Sequence, residues 1–219
     1  MSLDIERTRF NMVEQQVRPW DVIDLRVLDV LSRVRREDFV PADSRALAFA
    51  DVELPIGHGE HMMKPVVEGR LLQALAVQEG DSVLEIGTGS GFVTACLAAL
   101  ARDVTSLEIH ADLAASAEQK LVRAGVANTR VLVADALKGF TPGRSYDAIA
   151  VTGAVYGEPA AFREWLAIGG RLFVVRGESP VMEAVLITRV GASQFREDSL
   201  FETDLAYLTH AAPPKRFVL

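Results

Sequence analysis

The sequence predicts an α/β fold in which a doubly wound, mostly parallel sheet ends in an antiparallel strand pair and follows a helical N-terminal segment. From residue 81 onward, short apolar runs alternate with helical patterns, which is typical of a parallel sheet with right-handed crossovers. Near the end of the chain, two further runs flank Gly191-Ala192-Ser193 and predict a hairpin. The 219 residues suffice for one α/β domain with a small appendage.

The first part of the chain is predicted to be helical. Apolar residues recur at helical spacing over residues 10–17, and Pro19 then breaks the pattern. Asp21 is predicted to cap a second helix, whose apolar residues lie between positions 22 and 31. We therefore expect two helices before residue 35.

A charged run and a long loop follow these helices. Residues 33–38 mix arginines with acids, which is typical of a solvated face. Residues 39–65 carry apolar side chains, glycines and histidines without a regular period, so we expect an irregular loop with a functional role. We expect residues 1–65, the helices and this loop, to form one compact unit with residues 66–219, the main α/β domain.

The elements of the main domain are assigned by their periodicity and their stop signals. A helix over residues 66–76 precedes the sheet, and Gly125 and Gly169-Gly170 mark later helix ends. The predicted strands are 82–86, 104–108, 129–134, 147–152, 171–176, 181–190 and 195–204, and the predicted helices between them are 91–101, 111–124 and 159–166.

A glycine turn separates the first strand of the sheet from the next helix, as in nucleotide-binding α/β units. Its glycines are Gly87, Gly89 and Gly91. Glycine has no Cβ, so a ligand can approach the backbone, and the following helix presents unpaired N–H groups. Such a turn also occurs where a strand simply ends. Phe92 stands where a dinucleotide fingerprint has its third glycine, which argues against NAD or FAD.

Two acidic residues make this turn more specific. Glu85 lies two positions before Gly87, where its carboxylate could hold the turn by accepting N–H bonds or receive the ammonium group of a ligand. Glu108 ends the next apolar run, about 20 positions after Gly87, where such folds carry the carboxylate that binds a ribose. The acids and glycines together resemble the S-adenosylmethionine (SAM) site of class I methyltransferases.

Composition and charge exclude several classes of protein. Hydrophobic and charged fractions of 49% and 24% are typical of a globular protein, and a formal net charge of −7 argues against binding of nucleic acid. The sequence shows no basic-then-apolar leader and no apolar run of about 20 residues, so we expect a cytoplasmic protein without a membrane partner. His58 and His61 lack further ligands, so we expect no metal site. The oligomeric state stays open.

From about residue 34 to 190 the chain resembles the protein-L-isoaspartate O-methyltransferases, which are class I methyltransferases with a Rossmann-like fold. The order and spacing of five blocks carry this resemblance. The blocks are Arg36-Glu37-Asp38-Phe39-Val40-Pro41, Leu54-Pro55-Ile56-Gly57-His58-Gly59, Val83 to Gly91, Tyr146 to Ala154, and Leu166 to Leu172 with Gly177 beyond. The resemblance implies SAM as cofactor, S-adenosylhomocysteine (SAH) as product, and isoaspartyl residues of proteins or peptides as methyl acceptors.

The resemblance also assigns residues to the cofactor site. Asp135, which follows the third strand, is expected near the adenine, and the loop from Gly59 to Lys64 is expected to cover cofactor and substrate. The residues that we expect at the cofactor are Met62, Glu85, Gly87, Thr88, Gly89, Gly91, Glu108, Ile109, Asp135 and Ala136.

The covering loop departs from the family. The family typically reads Gly-Gln-Thr-Ile-Ser-x-Pro, whereas this chain has His61 in place of the threonine and Met63 in place of the serine near the reacting carboxylate. A thioether cannot donate the hydrogen bond of a hydroxyl, so the substrate half of the site is altered. His61, Met63 and Lys64 are the candidate catalytic residues. His58, His61 and Lys64 could attract or orient a substrate carboxylate.

The expected chemistry requires little from the side chains. A carboxylate is already ionised at neutral pH, so its methylation needs no general base and chiefly needs oxygen, methyl carbon and sulfur in line. Two alternatives stay open. One is a methyltransferase of the same fold that acts on another acceptor, for which His61 could be the base. The other is a SAM- or SAH-binding protein without catalysis.

Overall fold

The strands of the protein form a small hairpin and one large sheet. The computed structural model describes residues 4–157 and 160–214. Its strands are β1 (Leu54–Gly57), β2 (Glu60–Met62), β3 (Ser82–Ile86), β4 (Asp103–Glu108), β5 (Thr129–Val133), β6 (Tyr146–Val155), β7 (Leu166–Glu178), β8 (Val181–Gly191) and β9 (Gln194–Thr203). Strands β3 to β9 form the large sheet in the order β5-β4-β3-β6-β7-β8-β9. Neighbours are parallel from β5 to β7 and antiparallel from β7 to β9. The predicted fold class is confirmed.

The helices cover the two faces of this sheet. They are α1 (Ile5–Met12), α2 (Leu25–Arg33), α3 (Pro65–Leu75), α4 (Phe92–Leu100), α5 (Ala111–Arg123) and α6 (Ala160–Glu164). Successive side chains of a strand point to opposite faces. In β3, accordingly, Val83 belongs to the core that contains α2, α3 and α4, and Leu84 belongs to the core that contains α6. The predicted helix over 159–166 appears as α6 within the described residues.

The N-terminal segment is helical, as predicted, but its turns differ from the expectation. Helix α1 continues into a π-helical turn, Val13–Val17, and a 3₁₀ turn, Arg18–Trp20. Asp21 does not cap α2, because it lies at a left-handed φ of 60° before the helix begins. Asp24 is the cap, and its carboxylate accepts the N–H of Arg26 at 2.8 Å.

The charged run after α2 is not simply a solvated face, so that prediction is wrong for two of its members. Arg36 is fully buried, forms a two-point ion pair with Glu68 of α3, and donates to the carbonyls of Ala48 and Met63. Glu37 is also buried and pairs with an arginine of α1. A buried charge needs every donor satisfied. The partners of Arg36 and Glu37 come mostly from distant parts of the chain, and a local charge pattern cannot reveal such contacts.

The segment predicted as an irregular loop contains the β1–β2 hairpin. Leu54 pairs with Met62 and Pro55 pairs with His61 in antiparallel register. The turn Gly57-His58-Gly59 has three consecutive positive φ angles, of 103°, 55° and 79°, which two glycines make possible. Strands of four and three residues are too short to show a period in the sequence, which is why the hairpin was not predicted.

Candidate functional site

A cleft opens at the carboxyl ends of β3, β4 and β6. The strand order reverses direction at β3, and open α/β sheets bind their ligands at such a point. The turn after β3 forms the floor of the cleft. The β1–β2 hairpin forms one wall, and the C-terminal segment, residues 205–209, forms the other.

The glycine turn needs its glycines for two reasons. Gly87, Gly89 and Gly91 have φ angles of 101°, 51° and 86°, which other residues rarely adopt. In addition, a Cβ at Gly87 would lie 2.5 Å from the hydroxyl oxygen of Thr152. Gly87 and Gly89 line the cleft, whereas Gly91 packs against Ala117 of α5 and is not among the described lining residues.

Several N–H groups of this turn are bonded within the protein and are therefore not free to bind a ligand. Gly87 donates to the carbonyl of Leu107 at 2.9 Å, and Gly89 donates to Oε2 of Glu108 at 2.8 Å. The first N–H of α4 donates to the hydroxyl of Ser90. These bonds fasten the turn to β4 and fix the shape of the cleft floor.

Glu108 lies at the end of β4 with both carboxylate oxygens held. Oε2 accepts the N–H of Gly89, and Oε1 accepts the N–H of His110 at 3.0 Å. The residue is buried and lines the cleft. Since each carboxylate oxygen can accept two hydrogen bonds, Glu108 keeps acceptor capacity toward the cleft. The predicted contact with a ribose agrees with this geometry and stays a prediction.

Glu85 is fully buried beneath the turn. Its Oε2 accepts the hydroxyls of Thr94 and Ser106, each at 2.5 Å, and Thr88 bonds to Ser106 in turn. Its Oε1 has no hydrogen-bond partner among the described residues. Burial raises the pKa of Glu85 to about 8, and the charge of nearby Glu108 adds to the rise. The expectation that Glu85 accepts N–H bonds from the turn is therefore wrong, and an ammonium partner stays open.

The far end of the cleft is formed after β4 and β5. Ile109, Asp135 and Ala136 line it, as the sequence predicts for residues of one site. One oxygen of Asp135 accepts the N–H of Leu137 at 2.9 Å, and the other lies 2.8 Å from Nδ1 of His210. Asp135 is thus held in one orientation, partly by a residue near the C-terminus.

The hairpin brings two of the three candidate catalytic residues to the cleft. His61 and Met63 line it, and the Met63 carbonyl is held by Arg36. Lys64 is not among the described lining residues and lies at the N-cap of α3. Met62 lines a smaller cavity beneath the turn, together with Glu85. The roles of these residues stay predictions.

The two walls are joined across the mouth of the cleft. The hydroxyl of Thr209 donates to Oε1 of Glu60 at 2.9 Å, and His110 lies 3.5 Å from the same oxygen. The ring of His110 stacks on that of His58 at 4.1 Å, and His58 bonds to Asp112 of α5 at 2.9 Å. Within the described ranges, no group of three His, Cys, Asp or Glu side chains could hold a metal ion.

Several cleft residues were missed from the sequence. Thr152, near the end of β6, could have been found, because the carboxyl ends of neighbouring parallel strands meet at one edge of a sheet. Ile56 of the hairpin and the C-terminal residues Leu205, Leu208 and Thr209 carry no local signal. They reach the cleft only through long-range packing.

A family model for protein-L-isoaspartate(D-aspartate) O-methyltransferase (PCMT) matches residues 8–206 of the chain. The chain belongs to the PCMT family. Because the match begins at residue 8, the N-terminal helices have a counterpart in the family, and the resemblance extends beyond the range of about 34 to 190 recognised from motifs. Membership confirms that recognition and the prediction of a SAM-dependent methyltransferase.

Relatives in the PCMT family cover most of the chain. Protein-L-isoaspartate O-methyltransferase 2 of Marinobacter nauticus is 37% identical over 197 residues, which are 90% of each chain. The enzyme of a Synechococcus strain is 42% identical over 172 residues, or 78% of this chain and 70% of its own. A Plasmodium falciparum protein assigned to the same methyltransferases, solved with SAH, has a TM-score of 0.80 at 20% identity. That likeness covers 91% of this chain and 97% of the other, and supports the fold.

The residues of the cleft fit the cofactor of the PCMT family. SAM is a cation at its sulfonium and carries an ammonium group, and the cleft offers the carboxyl groups of Glu108 and Asp135 with the unpartnered oxygen of Glu85 below. A Cβ at Gly89 would lie 3.0 Å from Cδ1 of Ile56 in the hairpin, so the absence of a side chain keeps the cleft open at this point. No helix of the described residues is long and apolar enough to cross a membrane.

Proposed function

We propose that this protein transfers the methyl group of SAM to the free carboxylate of isoaspartyl residues in damaged proteins or peptides. The match of the PCMT family model over residues 8–206 is the observation that carries the proposal. The cleft supports it, because the glycine turn and Glu108 stand where the family motif requires them.

In the proposed reaction, bound SAM supplies an electrophilic methyl group on its sulfonium sulfur. The chain has to hold the cofactor and the acceptor oxygen in line, since the acceptor carboxylate is already ionised at neutral pH. Glu108 and Asp135 are held by backbone N–H groups, so they orient the cofactor without moving. His61 and Met63 form the wall from which the acceptor approaches.

The buried position of Met63 makes the acceptor side unusual. Met63 lines the cleft where the family has a hydroxyl, and its thioether cannot donate a hydrogen bond. His61, on the same wall, can donate one from its ring. In acyl transfer, the loss of one oxyanion-hole donor lowers the rate by roughly 10²–10³, and we take this as the scale for the missing hydroxyl. We therefore propose slow isoaspartyl methylation, and another acceptor on the same fold is the second candidate.

The test is transfer of labelled methyl from SAM to an isoaspartyl peptide, with the aspartyl peptide of the same sequence as the control. We expect transfer to the isoaspartyl peptide only, at a low rate, and a higher rate for Met63→Ser. Family-like turnover by the native protein would show that the hydroxyl is dispensable. Labelling of components of a cell extract, with none of the peptide in either protein, would favour the second candidate. SAH binding without any transfer would favour a non-catalytic role.

A further inference from the structure

On the acceptor side of the cleft, the described side chains carry negative charge that no lysine or arginine balances. Glu53 and Glu60 line it together with His61 and Met63, and the described lining residues include no lysine or arginine. The acceptor of the proposed reaction is itself an anion. A carboxylate that approaches two glutamates is repelled, because like charges raise each other's energy at short range. The sulfonium of bound SAM attracts the acceptor, and a cation on the substrate would further offset the repulsion by the glutamates.

Glu53 is the one cleft acid that has no partner within the described chain. Glu60 is bonded to Thr209, Glu108 is bonded to two backbone N–H groups, and Asp135 is bonded to Leu137 and His210. Glu53 has no comparable hydrogen bond or ion pair with any described residue. It is half-buried on the wall of the cleft, and its carboxylate is thus left to interact with a ligand.

The register of the hairpin sets the position of Glu53. Leu54 pairs with Met62 and Pro55 pairs with His61, so continuing the register by one residue sets Glu53 opposite Met63. Residues opposite each other in such a pair have their Cβ atoms about 5 Å apart. Glu53 and Met63 both line the cleft, whereas Leu54 and Met62 are not among its described lining residues. The free carboxylate therefore lies beside the altered acceptor site.

We propose that Glu53 is a specificity-determining residue that selects isoaspartyl sites flanked by a lysine or an arginine. This inference rests on the proposed function. A cationic side chain next to the isoaspartate lies within a few ångströms of the reacting carboxylate, where Glu53 can pair with it. The pair offsets the repulsion on the acceptor, whereas an acidic neighbour adds to it.

The test compares three isoaspartyl peptides that differ only in the residue on either side of the isoaspartate, which is lysine, glutamine or glutamate. The measurement is kcat/KM for methyl transfer from SAM. We expect kcat/KM for the lysine peptide to be about tenfold higher than kcat/KM for the glutamate peptide. This is the scale expected when a partly exposed ion pair in one complex is replaced by a like-charge repulsion in the other. The difference should appear in KM and should shrink at high salt, which screens exposed charges.

Variants assign the preference to the side chain. Glu53→Gln should reduce the difference in kcat/KM between the lysine and glutamate peptides to about twofold. Glu53→Lys should make the glutamate peptide the better substrate. Glu118→Lys is the matched control, because it makes the same change of charge on the exposed face of α5, outside the cleft. Calorimetric titration with SAH should give the same affinity in all four proteins, which shows that the cofactor half is intact.

The outcomes separate this inference from the proposed function. Equal kcat/KM for the three peptides, or a preference that Glu53→Lys leaves unchanged, would overturn the role of Glu53 and leave the proposed function standing. Absence of transfer to every peptide, with SAH binding retained, would overturn the proposed function and this inference with it. A preference that reverses in Glu53→Lys and persists in Glu118→Lys would support both.

Discussion

At the scale of single residues, the site depends on carboxyl groups in three different environments. Glu108 is fixed by two backbone N–H groups. Among the residues that the structure describes, one oxygen of buried Glu85 has no partner, and neither does Glu53 on the wall of the cleft. The environment, more than the residue type, decides what each carboxyl can do. Glu108 is suited to accept hydrogen bonds from hydroxyls, Glu85 to pair with a buried cation, and Glu53 to select a substrate.

Replacement of Glu108 should weaken binding of the cofactor. Glu108→Ala removes a carboxylate that faces the cleft, and the loss of charged hydrogen bonds corresponds to about 1–3 kcal/mol of binding free energy. Calorimetric titration with SAH measures the loss, with Glu118→Ala on the exposed face of α5 as the control. Glu108→Ala also removes the acceptor of the Gly89 N–H. Urea unfolding without ligand therefore measures how much of the effect is a loss of stability. Unchanged SAH affinity in Glu108→Ala would remove Glu108 from the site.

Glu85 should make the stability of the protein depend on pH. Its pKa is about 8 in the folded protein, against about 4.3 in an unfolded chain, because burial disfavours the charged form. At a pH between these two pKa values, Glu85 has lost its proton in the unfolded chain and retains it in the folded protein. This contribution to stability is therefore complete below about pH 4 and falls by up to about 1.4 kcal/mol per pH unit until about pH 8.

The variant Glu85→Gln isolates this contribution, because its amide does not ionise. We expect the free energy of unfolding, measured with urea, to fall less between pH 5 and pH 8 in Glu85→Gln than in the native protein. All other groups titrate in both proteins and cancel in the comparison. The same pH dependence in both proteins would show that Glu85 ionises normally in the fold.

At the scale of elements, the β1–β2 hairpin and helix α3 are positioned by a residue outside the cleft. Arg36 pairs with Glu68 of α3, and it donates to the carbonyls of Ala48 and of Met63, which lies in the covering loop. The N-terminal segment also packs tightly on α3, where a Cβ at Gly69 would lie 2.6 Å from Val17. The helices before residue 35 thus support the wall that the acceptor meets.

Removal of one member of the Arg36–Glu68 pair should destabilise the fold strongly. Arg36→Met leaves the carboxylate of Glu68 buried without a partner, which costs about 3–5 kcal/mol in the free energy of unfolding. The double variant Arg36→Met/Glu68→Leu should recover most of this loss, because an apolar pair fills the same space. Urea unfolding of both variants measures the recovery.

The same double variant separates stability from positioning. It lacks the donor to the Met63 carbonyl, so we expect a higher KM for the acceptor peptide with little change in SAH affinity. Equal KM in the native protein and the double variant would show that Arg36 only stabilises the fold. If Arg36→Met/Glu68→Leu were as unstable as Arg36→Met, the unpaired carboxylate of Glu68 would not be the cause of the destabilisation.

At the scale of the whole molecule, one apolar core joins the N-terminal helices to the sheet. Met12 and Leu31 belong to the same cluster of buried side chains as Val83 and Phe173. The division into residues 1–65 and 66–219 is therefore expected to describe two parts of a single cooperative unit, since parts that share a core cannot unfold separately without exposing it.

The two tryptophans can test this expectation, because each part of the chain has one. Trp20 follows α1, and Trp165 lies between α6 and β7. We expect the single-tryptophan variants Trp20→Phe and Trp165→Phe to unfold in urea with the same midpoint by fluorescence and by circular dichroism. Circular dichroism of each variant also controls for any effect of the substitution itself. An earlier fluorescence transition for Trp20 alone would show that the N-terminal part unfolds independently.

Local sequence by itself determined the alternating strands and helices, the glycine turn and the acid at the end of β4, because each has a short-range signature. Periodicity and glycine chemistry act over a few residues, so Gly87 and Glu108 could be recognised before any contact was known. Family motifs added the covering loop and the replacement of its serine by Met63.

Only the tertiary structure decided which distant residues meet at the site. The burial of Arg36, the closing of the cleft by the C-terminal segment through Thr209, and the position of Glu53 beside Met63 all depend on contacts between remote parts of the chain. A charged or polar residue has the same local pattern whether it is solvated or buried. Its role follows from the partners that folding brings to it, and those partners leave no mark in the neighbouring sequence.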